Sequence, residues 1–485
     1  MTDDEADRGP LRVLTRRTPA ATGWAAADVV RRNALIRRRR RMVAGIGAVV
    51  VVAAALAAAT RNDPRPAPPN AHVNRVTPPG HVHRTPDVHV GGRIGRAVQL
   101  VSDATPFTTH DPAAVAAVAA AEQRLTAQLL KSVGGSGNVS ISPASLYLAL
   151  GMLQSAARGR TAAQISTALQ AAGLSTGDQN AGLAGLTDEL TSAAKQAGIT
   201  LESANSLWQQ DGFPLDKQFL AQLGRYYRAG VWRADFFRHN ADALAAIDKW
   251  ASEHTHGKIK KLFDELDPST ILVLANAVYF HATWATPFNG RVTTAGVFTT
   301  RSGDRVPARF MIGRDGLLSG AGTGYEAAQL PYRGGRFAAL AVMPTSGSLE
   351  GFAADLTPAK IGSIVATLQP GEEIALPRFT TTSRVDFVPV LEGLGLRDAF
   401  SPAADLSGLS PDCGCQVDQV LQRVYLGVGE KGTTAAAVTG ISAVGVSTAG
   451  GLPPLRFDHP FLFLIRDTQS GAILFASKIN DPAAS

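Results

Sequence analysis

Only two of the 485 residues are cysteine, Cys413 and Cys415, with Gly414 between them. So few exclude a disulfide framework and a zinc site, and a bridge between them would close a ring too small to staple distant elements. A chain of this length, 45% hydrophobic, is large enough to bury its core without such staples. Lysine is absent from the first hundred residues, which hold 17 arginines and 7 acids, about +10; the rest of the chain has 30 basic and 33 acidic residues, about −3. The formal charge of +7 is therefore a property of the leading segment. A broadly basic surface for nucleic acid or heparin-like polyanions is not suggested for the remainder.

Internal repeats are absent, and so is any constellation of an enzyme. Gly173-Leu174-Ser175-Thr176-Gly177 has the spacing of a nucleophile elbow, but a helical stretch, Ala163 to Ala172, stands where a strand is needed. His254-Thr255-His256 lacks the spacing that sets two metal ligands on one helix face, and Glu430-Lys431-Gly432-Thr433 lacks the glycine frame of a phosphate loop. No catalytic residue, cofactor or metal is expected.

The leading segment has its own organisation. Arg37 to Arg41 is an unbroken arginine run followed by nineteen uncharged residues, Met42 to Thr60, long enough to cross a bilayer's hydrocarbon as one helix. Arginines before the run and few charges soon after it place the N-terminus in the cytoplasm and the rest outside. Residues 1–41 read as a cytoplasmic basic tail, 42–60 as a transmembrane signal anchor and 61–112 as a disordered stalk rich in proline and histidine. Ala57-Ala58-Ala59 also resembles a cleavage site, and cutting there would release a secreted protein. His72, His81, His83 and His89 lie in the stalk without carboxylate or cysteine support for a metal, so the stalk reads as a spacer.

From residue 113 onward, strand-like runs such as Ala338 to Pro344 mix with helical ones such as Ala113 to Ser132, which is the pattern of an α+β fold. The most informative segment is Gly429-Glu430-Lys431-Gly432-Thr433-Thr434-Ala435-Ala436-Ala437-Val438-Thr439-Gly440. In a strand, Thr433, Ala435, Ala437 and Thr439 share one face and Thr434, Ala436 and Val438 the other. Neither face carries a charge or a bulky group, so the segment fits into an existing sheet without overpacking it. It reads as a loop able to become a strand.

Several blocks around it, in order, complete a resemblance. Phe457 to Ile465, the turn Asp467 to Gly471 and Ala472 to Ile479 read as an apolar β-hairpin. Asn138-Val139-Ser140-Ile141-Ser142-Pro143-Ala144-Ser145-Leu146 leads into Leu148 to Leu153, and Ile247-Asp248-Lys249-Trp250 and Leu272 to Trp284 follow. On these blocks the chain resembles the serpin family over Ala113 to Pro482, about three quarters of its length. The resemblance implies three β-sheets with about eight or nine surrounding helices and an exposed reactive-centre loop, filling residues 113–485 and preceded by the transmembrane helix.

It also implies a suicide inhibitor of serine or cysteine proteases. The protease attacks the loop and forms an acyl-enzyme; the cut loop then inserts as a new central strand, drags the protease along and distorts its active site. The hinge would be Glu430, Gly432, Thr433, Thr434, Ala435, Ala436 and Ala437. Proline and buried charge would stall insertion, and there is no proline between Glu430 and Leu452. Counting from the hinge glutamate puts the scissile bond at Val446-Ser447, or up to Ala449 because the loop is longer than usual. A small aliphatic residue before the cut suits elastase-like or subtilisin-like targets. Ser142, Ser145, Asn276 and Gln422 would form the polar cluster under the sheet's opening point, with Trp284 at its top. Gln422 stands where many serpins have a histidine. The alternative is a non-inhibitory serpin acting as a binding or scaffold protein. A monomer displayed at the cell surface, with no nucleic-acid partner, is expected.

Overall fold

The computed structural model describes residues 86–370, 373–411, 414–434 and 455–484. Nine α-helices occur among the described residues: α1 Pro112–Ser132, α2 Pro143–Ala156, α3 Gly159–Ala168, α4 Thr176–Gln196, α5 Lys217–Gln222, α6 Asn240–His254, α7 Leu349–Ala354, α8 Pro358–Ala366 and α9 Val388–Gly393. Their starts follow from local chemistry. Asp111 accepts from the Ala113 amide, with Pro112 in the first turn of α1. Ser175, the apparent nucleophile-elbow serine, accepts from the Asp178 amide and caps α4, so its hydroxyl is structural.

The central sheet contains eight strands: β1 Val88–Ile94, β2 Ala97–Ser102, β3 Thr200–Gln210, β4 Val231–Ala234, β5 Leu272–Thr283, β6 Phe379–Asp386, β7 Gln419–Gly429 and β8 Gly432–Thr433. Their spatial order is β1-β2-β4-β3-β5-β8-β7-β6. A seven-stranded sheet contains Phe337–Pro344 and the expected C-terminal hairpin, Phe461–Asp467 against Ile473–Ile479. A four-stranded sheet contains Leu455–Arg456, the first described strand after the loop. The α+β class with three sheets is as expected.

The main core lies between the central sheet, the seven-stranded sheet and the helices. A second core, built on Trp208, Trp232, Ile247 and Trp250, seals α6 against the opposite face of the central sheet. Trp208 and Trp232 stack at 5.0 Å there, and Trp250 meets Trp208 edge-on at 6.3 Å.

One expectation requires correction. The disordered stalk over residues 61–112 does not extend that far, because residues 88–102 form the hairpin β1–β2 with Gly95-Arg96 as its turn. Val98 to Leu100 pair with Val231 to Arg233, adding two strands to the edge of the central sheet. Close approach is possible because residue 230 is glycine; a Cβ there would lie 2.2 Å from the Leu100 carbonyl oxygen. Ile94 and Ala97 enter the second core, and Arg96 pairs with Asp242 of α6. Burial of Ile94 and Ala97, together with the ladder to β4, offsets the cost of ordering the backbone, which the proline-rich surroundings disguise in the sequence.

The expected basic tail, the expected anchor at 42–60 and the expected stalk up to residue 85 lie outside the described residues. Among the described residues no helix is long and apolar enough to cross a membrane, and no group of side chains could hold a metal ion. Cys415 is buried and disulfide-bonded; Cys413 lies outside the described residues.

Candidate functional site at the opening of the central sheet

β7 ends at Gly429, the chain turns through Glu430 and Lys431, and β8 enters the sheet between β5 and β7. Gly432 and Thr433 pair antiparallel with Gly429 and Val428 on one side and with Thr283 and Ala282 on the other. Lower down nothing separates those neighbours, and Gln419 to Val424 pair directly with Val273 to Val278 in parallel register. The sheet is thus closed below and wedged apart at the end where the loop begins.

Six side chains hold this wedge. Thr433 is fully buried and its hydroxyl bonds to that of Tyr332. Tyr332 stacks on Trp284 at 4.4 Å, and the Trp284 indole donates to the Gly429 carbonyl at 2.9 Å. The Trp284 backbone amide donates to Lys431 O, and the Phe288 amide to Glu430 O. Burial pushes the Glu430 carboxyl up, but hydrogen bonds from Thr293, at 2.7 Å, and from Arg378 outweigh it and hold the carboxyl below its ordinary value.

Gly432 allows no substitute, since a Cβ would stand 1.9 Å from the Ala282 carbonyl oxygen. Thr434 is the last described residue of the hinge. Its φ of 56° lies in the left-handed region, unfavourable for a β-branched residue, and its buried hydroxyl has no partner among the described residues. The expected hinge residues Ala435, Ala436 and Ala437 and the expected bond Val446-Ser447 lie outside the described residues.

Beneath the strands, Ser142, Ser145, Asn276 and Gln422 share one hydrogen-bond network. Gln422 on β7 accepts from the Ser142 amide at 2.7 Å and donates to Ser142 O at 3.0 Å and to the Asn276 side chain on β5 at 2.7 Å. Asn276 donates in turn to Ser145 of α2 at 2.6 Å. One glutamine therefore ties β7 to β5 and to the start of α2. Ser142 occupies the cap position of α2 without capping it; its hydroxyl donates to Leu474 O at 2.7 Å. Ser203 and Asn205 on β3 extend the cluster through Ser145. Tyr332, Arg378, Thr293, Ser203 and Asn205 carry no local sequence signal for these roles, because each acts through a partner distant in the chain.

A three-sheet α+β domain with a small-residue segment entering its central sheet defines the class of protein. The serpin family model, described as serine protease inhibitor, matches residues 120–482. The chain belongs to the serpin family, whose members are generally serine protease inhibitors and not enzymes. It is 33% identical to Iripin-3 of Ixodes ricinus over 358 residues, covering 71% of this chain and 88% of that protein. It is 31% identical to human neuroserpin over 369 residues, covering 73% and 88%. The crystal structure of the thermophilic serpin tengpin in its native state is similar at TM-score 0.68 and 28% identity, covering 78% of this chain and 97% of that one. The hairpin β1–β2 lies ahead of the family match.

Proposed function

We propose that the chain is an inhibitory serpin, a suicide substrate for elastase-like or subtilisin-like proteases. The observation that carries this reading is the seating of Gly432 and Thr433 between β5 and β7, with Thr433 received by the Tyr332 hydroxyl. The loop's first two residues already occupy the slot that the rest would fill. Thr434 to Val446 contain no proline and no charge, so neither a missing ladder donor nor a buried ion halts the insertion.

In the proposed reaction the protease serine attacks the Val446 carbonyl and forms an ester, and the amine of Ser447 leaves with the C-terminal fragment. Insertion of the cleaved loop between β5 and β7 then competes with hydrolysis of the ester. Trapping follows when insertion is faster. The arginine run and the apolar stretch at 42–60 support a membrane-anchored protein with this domain on the outer side, acting as a monomer.

The test is to mix the full chain, in detergent, with an elastase-like and a subtilisin-like protease. The expected product is a covalent complex that survives boiling in SDS, with a released peptide beginning at Ser447. Cleavage of the loop by both proteases without a complex would replace this reading with that of a non-inhibitory serpin.

A further inference from the structure

Asparagine is a chemically labile side chain, and the residue that follows it governs how labile. The backbone nitrogen of that residue attacks the asparagine Cγ and closes a five-membered ring, and a Cβ on it crowds the approach. Only Asn289 is followed by glycine in this chain; every other asparagine precedes a residue with a Cβ.

Asn289 and Gly290 lie between β5 and the strand Thr294–Thr299 of the four-stranded sheet, and both are exposed. The Asn289 Oδ1 accepts from the Arg291 amide at 3.0 Å. Ring closure turns this oxygen into an oxyanion, and an N–H already aimed at it stabilises the developing charge. Gly290 opens the short 3₁₀ helix Gly290–Val292, so its N–H has no helical partner, and it meets no other acceptor among the described residues. The Asn289 side-chain nitrogen likewise donates to none of them. Hydrogen bonds therefore restrain neither the attacking nitrogen nor the leaving one.

The same segment grips the loop hinge. The Phe288 amide donates to Glu430 O at 2.9 Å, and the Thr293 hydroxyl donates to the Glu430 carboxylate at 2.7 Å. Asn289 and Gly290 stand between these two contacts in the chain, and a Cβ on Gly290 would lie 4.0 Å from Glu430 Cγ.

We propose that Asn289 is a site of self-modification whose reaction releases the hinge. The Gly290 nitrogen forms a bond to Asn289 Cγ, the bond from Cγ to Nδ2 breaks, and ammonia leaves with the Gly290 proton. Water, the sole co-reactant, then opens the succinimide to aspartate or isoaspartate. Either product adds a negative charge beside the Glu430 side chain, whose carboxylate it opposes. Isoaspartate also adds one methylene to the main chain between Phe288 and Thr293, which disturbs the spacing of the two contacts to Glu430. The uncut loop then enters the slot between β5 and β7, and the molecule is used up before it meets a protease. This last step rests on the inhibitory reading; the chemistry at Asn289 does not.

The chemistry is read first, without protease. The full chain in detergent is held in warm, mildly alkaline buffer, and timed samples are mapped by mass spectrometry, with isoaspartate counted by enzymatic methylation. Amide-to-acid exchange should appear at Asn289 ahead of every other asparagine. Gly290→Ala should slow it at least about tenfold, and its added Cβ makes only an ordinary contact with Glu430. Exchange at Asn289 no faster than elsewhere, or indifferent to Gly290→Ala, overturns the site.

Trapping capacity of the aged protein should fall in step with conversion, about twofold when half of Asn289 has reacted, while aged Gly290→Ala keeps its capacity. Conversion without that loss, or an equal loss in aged Gly290→Ala, overturns the coupling. A fresh protein that traps no protease overturns the coupling together with the inhibitory reading, and the mapping still decides the site.

Discussion

Replacing Thr433 with arginine tests the insertion argument at its first step. The side chain is fully buried, its hydroxyl is bonded to Tyr332, and Tyr332 is itself covered by Trp284. An arginine there finds no free carboxylate, because Glu430 is already taken by Arg378 and Thr293. Leaving one charge buried and unpaired costs about 3–5 kcal/mol. The substituted hinge should therefore leave the sheet, and reinsertion during trapping would meet the same cost. With about 1.4 kcal/mol per factor of ten, insertion should slow by roughly 10² to 10³ while hydrolysis of the acyl-enzyme keeps its rate. The assay counts moles of inhibitor consumed per mole of protease inhibited, beside the rate of loop cleavage. Cleavage should persist, the SDS-stable complex should fade, and the consumption ratio should rise far above one. A complex formed at the wild-type rate and yield would refute the reasoning, and Thr433→Val, which keeps the shape, should retain most trapping.

Gln422→Leu strips partners from the Ser142 amide and carbonyl and from Asn276, so the half-life of trapping activity at a fixed elevated temperature should fall about tenfold or more. Glu122→Gln tests the buried carboxyl. The folded protein holds the proton up to about pH 8 and the unfolded chain only to about 4.5, so wild-type stability should fall as pH rises between those values. At about 1.4 kcal/mol per unit, the variant should lack that slope and be a few kcal/mol more stable at pH 8, as urea midpoints would show. Arg378→Met acts on the opposite side of the pH scale. Glu430, held below its ordinary value, contributes stability present above that value and lost as pH falls through the lowered one. Thermal midpoints should decline in wild type below about pH 4.5, while the variant starts lower and changes less.

Most of the fold was legible because its signals are local and repeated: Ser-Pro before an apolar helix, the run Leu272 to Trp284, and two apolar strands around an Asp-to-Gly turn. Ser142, Ser145, Asn276 and Gln422 were grouped only through the resemblance, and they lie in one hydrogen-bond network. Their bonding was not legible, since the hydroxyl of Ser142 reaches Leu474 and not the helix it precedes. Tyr332 escaped notice because its partner lies 101 residues away and a lone tyrosine after an apolar run says only that it is buried. The hairpin β1–β2 escaped because it is short, interrupted by Gly91-Gly92, and set among prolines and histidines that argue for an extended chain. Its order derives from Trp232 and α6, which no local window contains.

That hairpin makes the domain's leading end a mechanical element. A pull on the lead enters the fold at Val88, on the outermost strand, and is borne by the short ladder from Val88↔Ser102 to Ile94↔Ala97. Beyond that ladder, β2 and β4 connect it to β3 and to β5, which borders the seated Gly432 and Thr433. In the anchored inhibitor proposed above, one route through the sheet would serve both the tether and the loop.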